Sequence, residues 1–158
     1  MKMQNLPLEG INTILLDRDG VINKLRHNDY VKTWNEFEFI PGILDLIAEL
    51  SAEIKHLFIV TNQRGVGKGV MSEEALLNIH GLMLDEILRH GGRIDKIYYC
   101  TAVDDNDYFR KPNIGMWETI RLEYPDVQAD STLMIGDSES DMEFAKNCGI
   151  IGIKVNNA

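Results

Sequence analysis

The chain has 158 residues, 44% of them hydrophobic and 26% charged, enough apolar material for one substantial core but little for two. No apolar run approaches the roughly 20 residues that span a bilayer, and "MKMQNLPLEG" lacks the core of a secretion signal, so a cytoplasmic location without membrane partners is expected. The net charge of −9 argues against nucleic acid as a partner while leaving room for a small anion held in a local site.

In chain order, "TILL" (13–16) reads as a first strand. Pro41 and Gly42 then open a segment with Ile43, Ile47, Leu50 and Ile54 at helical spacing. "LFIV" (57–60) is a second strand. Ser72 is a candidate N-cap for a helix whose stripe of Leu76, Ile79, Met83 and Ile87 ends at Gly91 and Gly92. "KIYYC" (96–100) is a third strand, and a helix from about Ile114 to Glu123 stops before Pro125. "TLMI" (132–135) is a fourth strand. Met142, Ala145 and Cys148 mark a short helix closed by Gly149, and "IIGIKV" (150–155) is a fifth strand. Cys100 and Cys148 belong to no paired cluster, which excludes a disulfide framework and a four-cysteine zinc site.

Apolar strands alternating with amphipathic helices predict an α/β fold, a doubly wound, Rossmann-like parallel sheet, with residues 1–158 in a single domain. Ligands in such folds bind at the carboxyl ends of the strands, so the residues following each strand are the informative ones. Asp17 and Asp19 follow the first, and Thr61, Asn62 and Gln63 the second. The loop after the third ends in Arg110 and Lys111, and Asp137 and Asp141 follow the fourth.

All of these fall on one rim. Residues two apart on an extended segment share a face, so the spacing lets Asp17 and Asp19 reach one centre. Two such charges 4 Å apart repel by about 4 kcal/mol at an effective dielectric near 20, and Asp137 adds to that. Hard oxygen ligands crowded in this way suit Mg²⁺, which bridges carboxylates to a phosphate. A carboxylate can attack phosphorus, a second can move the proton, and neutral donors with a lysine can stabilise the equatorial oxygens. The alternative, a helix cap beside a turn, accounts for each aspartate alone but not for their convergence.

These residues resemble the haloacid dehalogenase superfamily of aspartate-nucleophile phosphatases. "DRDGVIN" matches its first motif, Thr61 in "VTNQRGVGKG" its second, Lys111 in "RKP" its third and "GDSESD" its fourth. The resemblance implies Asp17 as nucleophile, Asp19 as general acid/base, Thr61 as a phosphate-binding hydroxyl, and Asp141 as the partner of Lys111. It implies Mg²⁺ held by Asp17, the backbone carbonyl of Asp19, and Asp137. "FEFIPGI", "IYYC" and "RKPNIGM" are similar to the branch containing D-glycero-D-manno-heptose-1,7-bisphosphate 7-phosphatase and histidinol-phosphate phosphatase, over roughly residues 12 to 155.

Members of that branch usually hold zinc before "RKP". Here "CTAVDDNDYFRKP" keeps only Cys100, so no zinc is expected. Asn62, Gln63 and Arg110 are expected to bind substrate, although Arg110 pairing with Asp104, Asp105 or Asp107 is an equal alternative. Arg26, His27 and Asn28 in "KLRHNDYV" are further candidates, and His56, His80 and His90 read as structural. No insertion is long enough for a separate cap, so the site is expected to be open; by analogy with the family, such members act on larger substrates or borrow closure from loops or from another subunit of a homo-oligomer.

The expected substrate is a small phosphorylated metabolite, foremost the heptose bisphosphate, with 7-phosphate removal. Histidinol phosphate, other sugar phosphates and, less favoured by charge, a nucleic-acid 3′-phosphate stay open. The alternative of another class is a non-catalytic domain that binds phosphate ligands or assembles a complex.

Overall fold

The structure is a computed structural model that describes residues 1–157. Successive strand residues point to opposite faces, and the core divides accordingly. In β1 (Thr13–Leu16), Ile14 and Leu16 join one apolar cluster while Leu15 joins the other. After α1 (Ile43–Glu53), β2 (His56–Asn62) repeats the alternation, with Leu57 and Ile59 on the first face and Phe58 and Val60 on the second.

A single helical turn, α2 (Arg64–Gly67), precedes α3 (Glu73–Arg89) and β3 (Lys96–Cys100). Then follow α4 (Gly115–Glu123), β4 (Thr132–Gly136), α5 (Glu139–Cys148) and β5 (Ile151–Lys154). Helices α1 and α3 cover the first face through Ile47, Leu50, Ile79 and Met83, and α4 and α5 cover the second through Trp117, Ile120 and Phe144. Each fully buried Leu, Ile or Phe contributes about 1.5–3 kcal/mol, a reserve that tolerates the electrostatic crowding at the rim.

All strand pairs are parallel, in the order β3-β2-β1-β4-β5. The chain steps outward from β1 to β3, then returns to the far side of β1 for β4 and β5. The direction of winding reverses between β1 and β4, and the crevice outside their carboxyl ends is where such folds bind ligands. Register does the rest. Leu16 pairs with Ile135, and the Asp17 amide donates to the Ile135 carbonyl at 3.0 Å, so the residues just past both strand ends lie side by side.

The predicted elements are present, with shifted ends. β2 continues through Thr61 and Asn62, which are its last residues rather than a following loop. The last helix starts at Glu139, earlier than its apolar residues indicate, because Ser138 caps it and its first turn faces the site. β5, at the sheet edge, is only partly covered, with Ile151 exposed.

Candidate active site

Asp17 follows β1, Asp137 follows β4, and Asp141 lies in the first turn of α5. Each offers a carboxylate oxygen within 4.8 Å of the others. Between β1 and that centre the chain turns sharply. The amides of Val21, Ile22 and Asn23 donate to the Arg18 carbonyl, and Gly20 adopts φ +89. A Cβ on Gly20 would stand 1.8 Å from Asp137 Oδ2, so glycine alone permits both the turn and the close approach of β4.

Lys111 arrives from the loop after β3 and is buried. Its ammonium donates to Asp17 Oδ1 (3.0 Å), Asp141 Oδ1 (2.7 Å) and the Val60 carbonyl (2.8 Å). Asp141 also accepts from the Asp137 amide (3.2 Å) and the Ser138 hydroxyl (3.0 Å), while its own amide donates to Ser138 Oγ (3.1 Å). It therefore serves both as a helix-cap charge and as the lysine's partner.

The charges do not balance. Burial, aided by the repulsion of Asp141, Asp19 and Asp137, pushes the Asp17 carboxyl well above the usual range against the opposing pull of Lys111. Burial and the Asp141 charge likewise raise Asp137. Burial also works against Asp141, but the charge and hydrogen bond of Lys111 outweigh it and hold that carboxyl low. Lys111 bonds only two of the three carboxylates, and oxygen ligands at this spacing fit a hard divalent cation.

Asp19 corrects the strand-spacing argument. β1 ends at Leu16, so residues 17 to 19 are not a straight strand, and the Asp19 side chain is not among the three clustered carboxylates. It lines the same cleft, but accepts from Arg18 Nη2 (2.7 Å), Asn23 Nδ2 (2.9 Å) and Gln63 Nε2 (2.9 Å). Burial alone would raise its pKa; the Arg18 charge and these donors outweigh burial and hold it below the usual value.

Other predicted positions carry duties the sequence does not reveal. Gln63 also donates to Thr61 Oγ1 (3.0 Å). Thr61 is fully buried beneath that amide and is not part of the cleft lining. Asn62 clamps the Lys111 backbone, donating to its carbonyl and accepting from its amide, both at 3.0 Å. Asn62 and Gln63 line the cleft of about 330 Å³, yet their amides chiefly hold Lys111 and Asp19 in place.

At the cleft rim, Arg110 Nε donates to Asp105 (3.2 Å), while its Nη1 is buried with no partner among the described residues. Asp105 also pairs with Arg64 (2.5 Å). Arg26 lines the same cleft and is held by Asp29 (3.4 Å) and Glu36.

Arg18 and His80 lie buried behind the cleft, and the intervening position of "DRDG" gives no cue to its direction. His80 is held neutral: burial, then the Arg18 charge, depress its pKa to about 3 against a weaker opposing pull from Asp19. The unfolded chain, with an ordinary value near 6.5, then binds a proton that the folded chain refuses. Folding stability is full above that value and is lost on acidification toward pH 3. His80 alone should contribute a loss of about 2 kcal/mol between pH 7 and pH 5. Urea unfolding at the two pH values checks this; His80→Gln should lose less on acidification by that amount, and an identical loss in both proteins would refute it.

A sequence model of the family described as polynucleotide kinase 3 phosphatase matches residues 12–151. The D-glycero-beta-D-manno-heptose-1,7-bisphosphate 7-phosphatase of Rhodopseudomonas palustris is 39% identical over 147 residues, 88% of this chain and 80% of that protein. The D-glycero-alpha-D-manno-heptose-1,7-bisphosphate 7-phosphatase of Mycobacterium bovis is 36% identical over 135 residues, covering 85% and 71% respectively. Among solved structures, D,D-heptose 1.7-bisphosphate phosphatase from B. bronchiseptica, complexed with magnesium and phosphate, matches with a TM-score of 0.83 and 34% identity over 90% of this chain and 79% of its own.

Proposed function

The chain belongs to the polynucleotide kinase 3 phosphatase family, within the haloacid dehalogenase superfamily, and we propose that it is a Mg²⁺-dependent phosphatase removing the 7-phosphate of D-glycero-D-manno-heptose 1,7-bisphosphate. The observation that carries this reading is the cluster of Asp17, Asp137 and Asp141 around one buried lysine at the winding reversal of the sheet. The heptose is taken from the named relatives. A net charge of −9 disfavours a polynucleotide.

Asp17, Asp137 and the backbone carbonyl at Asp19 would hold the cation. It supplies charge neutralisation, lowering the repulsion between the carboxylates and the phosphate dianion.

The residues divide the remaining work. Asp17 is the nucleophile. Its Oδ1 accepts from Lys111 Nζ (3.0 Å) and the Arg18 amide (2.9 Å), which fixes the plane of the carboxylate for attack on phosphorus. The P–O bond to the sugar breaks as the Asp17–phosphorus bond forms, and the leaving oxygen takes a proton from Asp19. Asp19, then a carboxylate, takes a proton from water as that water attacks phosphorus, which frees orthophosphate and restores Asp17.

In the ligand-free arrangement Asp19 is held in its basic form; an arriving dianion raises its proton affinity, which fits the acid role of the first half-reaction. Arg110, with its unpartnered Nη1 at the cleft rim, would take the distal phosphate.

The test is phosphate release with Mg²⁺ from both heptose 1,7-bisphosphate anomers, histidinol phosphate and a 3′-phosphorylated oligonucleotide. One heptose anomer should exceed the last two in kcat/KM by about 10-fold or more, and EDTA should stop turnover. A higher value for histidinol phosphate or the oligonucleotide refutes the substrate; no release from any of the four refutes the enzyme.

A further inference from the structure

Behind the reacting carboxylates, Arg18 is wholly buried, and each face of its guanidinium is engaged. Nη2 donates to Asp19 Oδ1 at 2.7 Å, Nε donates to Asn23 Oδ1 at 3.2 Å, and the group lies 5.8 Å from the Phe37 ring centroid. The remaining edge is met by α3. Nη1 lies 3.1 Å from His80 Nε2, a contact across 62 residues of sequence. A guanidinium only donates, so Nε2 is the acceptor and the ring proton belongs on Nδ1. The ring is 6.0 Å from that of Tyr99, whose hydroxyl donates to Glu73 (2.6 Å) at the start of α3, so the imidazole is itself held in place.

We infer that His80 is a positioning residue of the reaction: by accepting from Arg18 Nη1 it fixes the guanidinium fork, and through that fork the Asp19 carboxyl that handles the leaving-group proton. The inference rests on the phosphatase reading and extends it to a side chain that does not line the cleft. A guanidinium is a rigid planar fork, so loss of the acceptor at one tip loosens the donor at the other. Asn23 and Gln63 would still hold Asp19, but neither carries a charge. A displacement of about 1 Å in a proton-transferring group costs on the order of 100-fold. The cost should therefore fall on the step that needs the proton and spare the others.

Two aryl phosphates separate that step. 4-Nitrophenyl phosphate releases a good leaving group that needs no proton, whereas phenyl phosphate releases a poor one that does. In His80→Leu, kcat/KM for phenyl phosphate should fall by about 10- to 100-fold, while that for 4-nitrophenyl phosphate changes by less than about 3-fold. KM should hold for both. His80→Gln, whose amide oxygen can accept from Nη1, should restore most of the ratio.

An unchanged ratio, or an equal loss with both substrates in a folded His80→Leu protein, overturns the inference. If His80→Leu fails to fold, His80→Asn replaces it, polar but too short to reach Nη1, and the same ratio decides. Phosphate release by the wild-type chain tests the phosphatase reading, and its absence with the aryl esters and the heptose bisphosphates alike overturns both; the ratio tests this inference alone.

Discussion

Asp17→Asn should abolish phosphate release while leaving the protein folded and, in Mg²⁺-free buffer, at least as stable as the wild type. An amide is no nucleophile toward phosphorus, so the loss in kcat should reach about 10⁴-fold or more. The stability half follows from electrostatics. Burial and three neighbouring carboxylates push the folded Asp17 pKa upward against the single pull of Lys111. An acid whose folded value lies above its unfolded value binds more protons when folded, so it loses stability as pH rises through that window.

The neutral amide removes the repulsion, and Lys111 keeps Asp141 at 2.7 Å and the Val60 carbonyl at 2.8 Å. Thermal melts in EDTA beside phosphate-release assays read both halves. Substantial turnover by the variant would remove Asp17 from the nucleophile's role, and a variant less stable by more than about 1 kcal/mol would contradict the crowding argument.

Lys111→Met should do the opposite to stability. The lysine is the common counter-charge of Asp17 and Asp141, buried and bonded to both. Removing one member of a buried ionic group strands the other, at a cost of about 3–5 kcal/mol, far above the 0–1 kcal/mol expected for an exposed pair such as Lys24–Glu38. Turnover should fall by about 100-fold or more, because the Asp17 carboxylate loses its orienting donor.

Mg²⁺ should recover part of the lost stability, since a cation that binds only the folded chain stabilises it by mass action. Urea midpoints with and without Mg²⁺ check this. A variant within about 1 kcal/mol of wild type in EDTA would mean that Lys111 is not the charge on which the cluster depends.

The two variants probe features of unequal legibility. Asp17 and Asp137 could be picked out before any coordinates, because apolar runs ending in carboxylates and the ligand-binding rule for wound sheets together locate the site. Which neutral groups touch phosphate could not be read in the same way. Thr61, Asn62 and Gln63 are polar residues at a strand end, and nothing local separates a donor aimed at substrate from one aimed at the protein. Their partners, Lys111 for Asn62 and Asp19 for Gln63, stand 49 and 44 residues away.

His80 is the sharper case. Next to Ile79 on the apolar stripe of α3 it reads as a packing residue, and its link to the chemistry exists only because α3 packs over the turn that carries Arg18.

The strands, the helices that cover them and the rim on which the aspartates gather follow from residue order, because side-chain periodicity and chain alternation are local properties. Tertiary structure alone decided the direction each polar side chain takes on that rim. A buried donor must find an acceptor, and the acceptors here come from segments that meet only when the sheet is assembled.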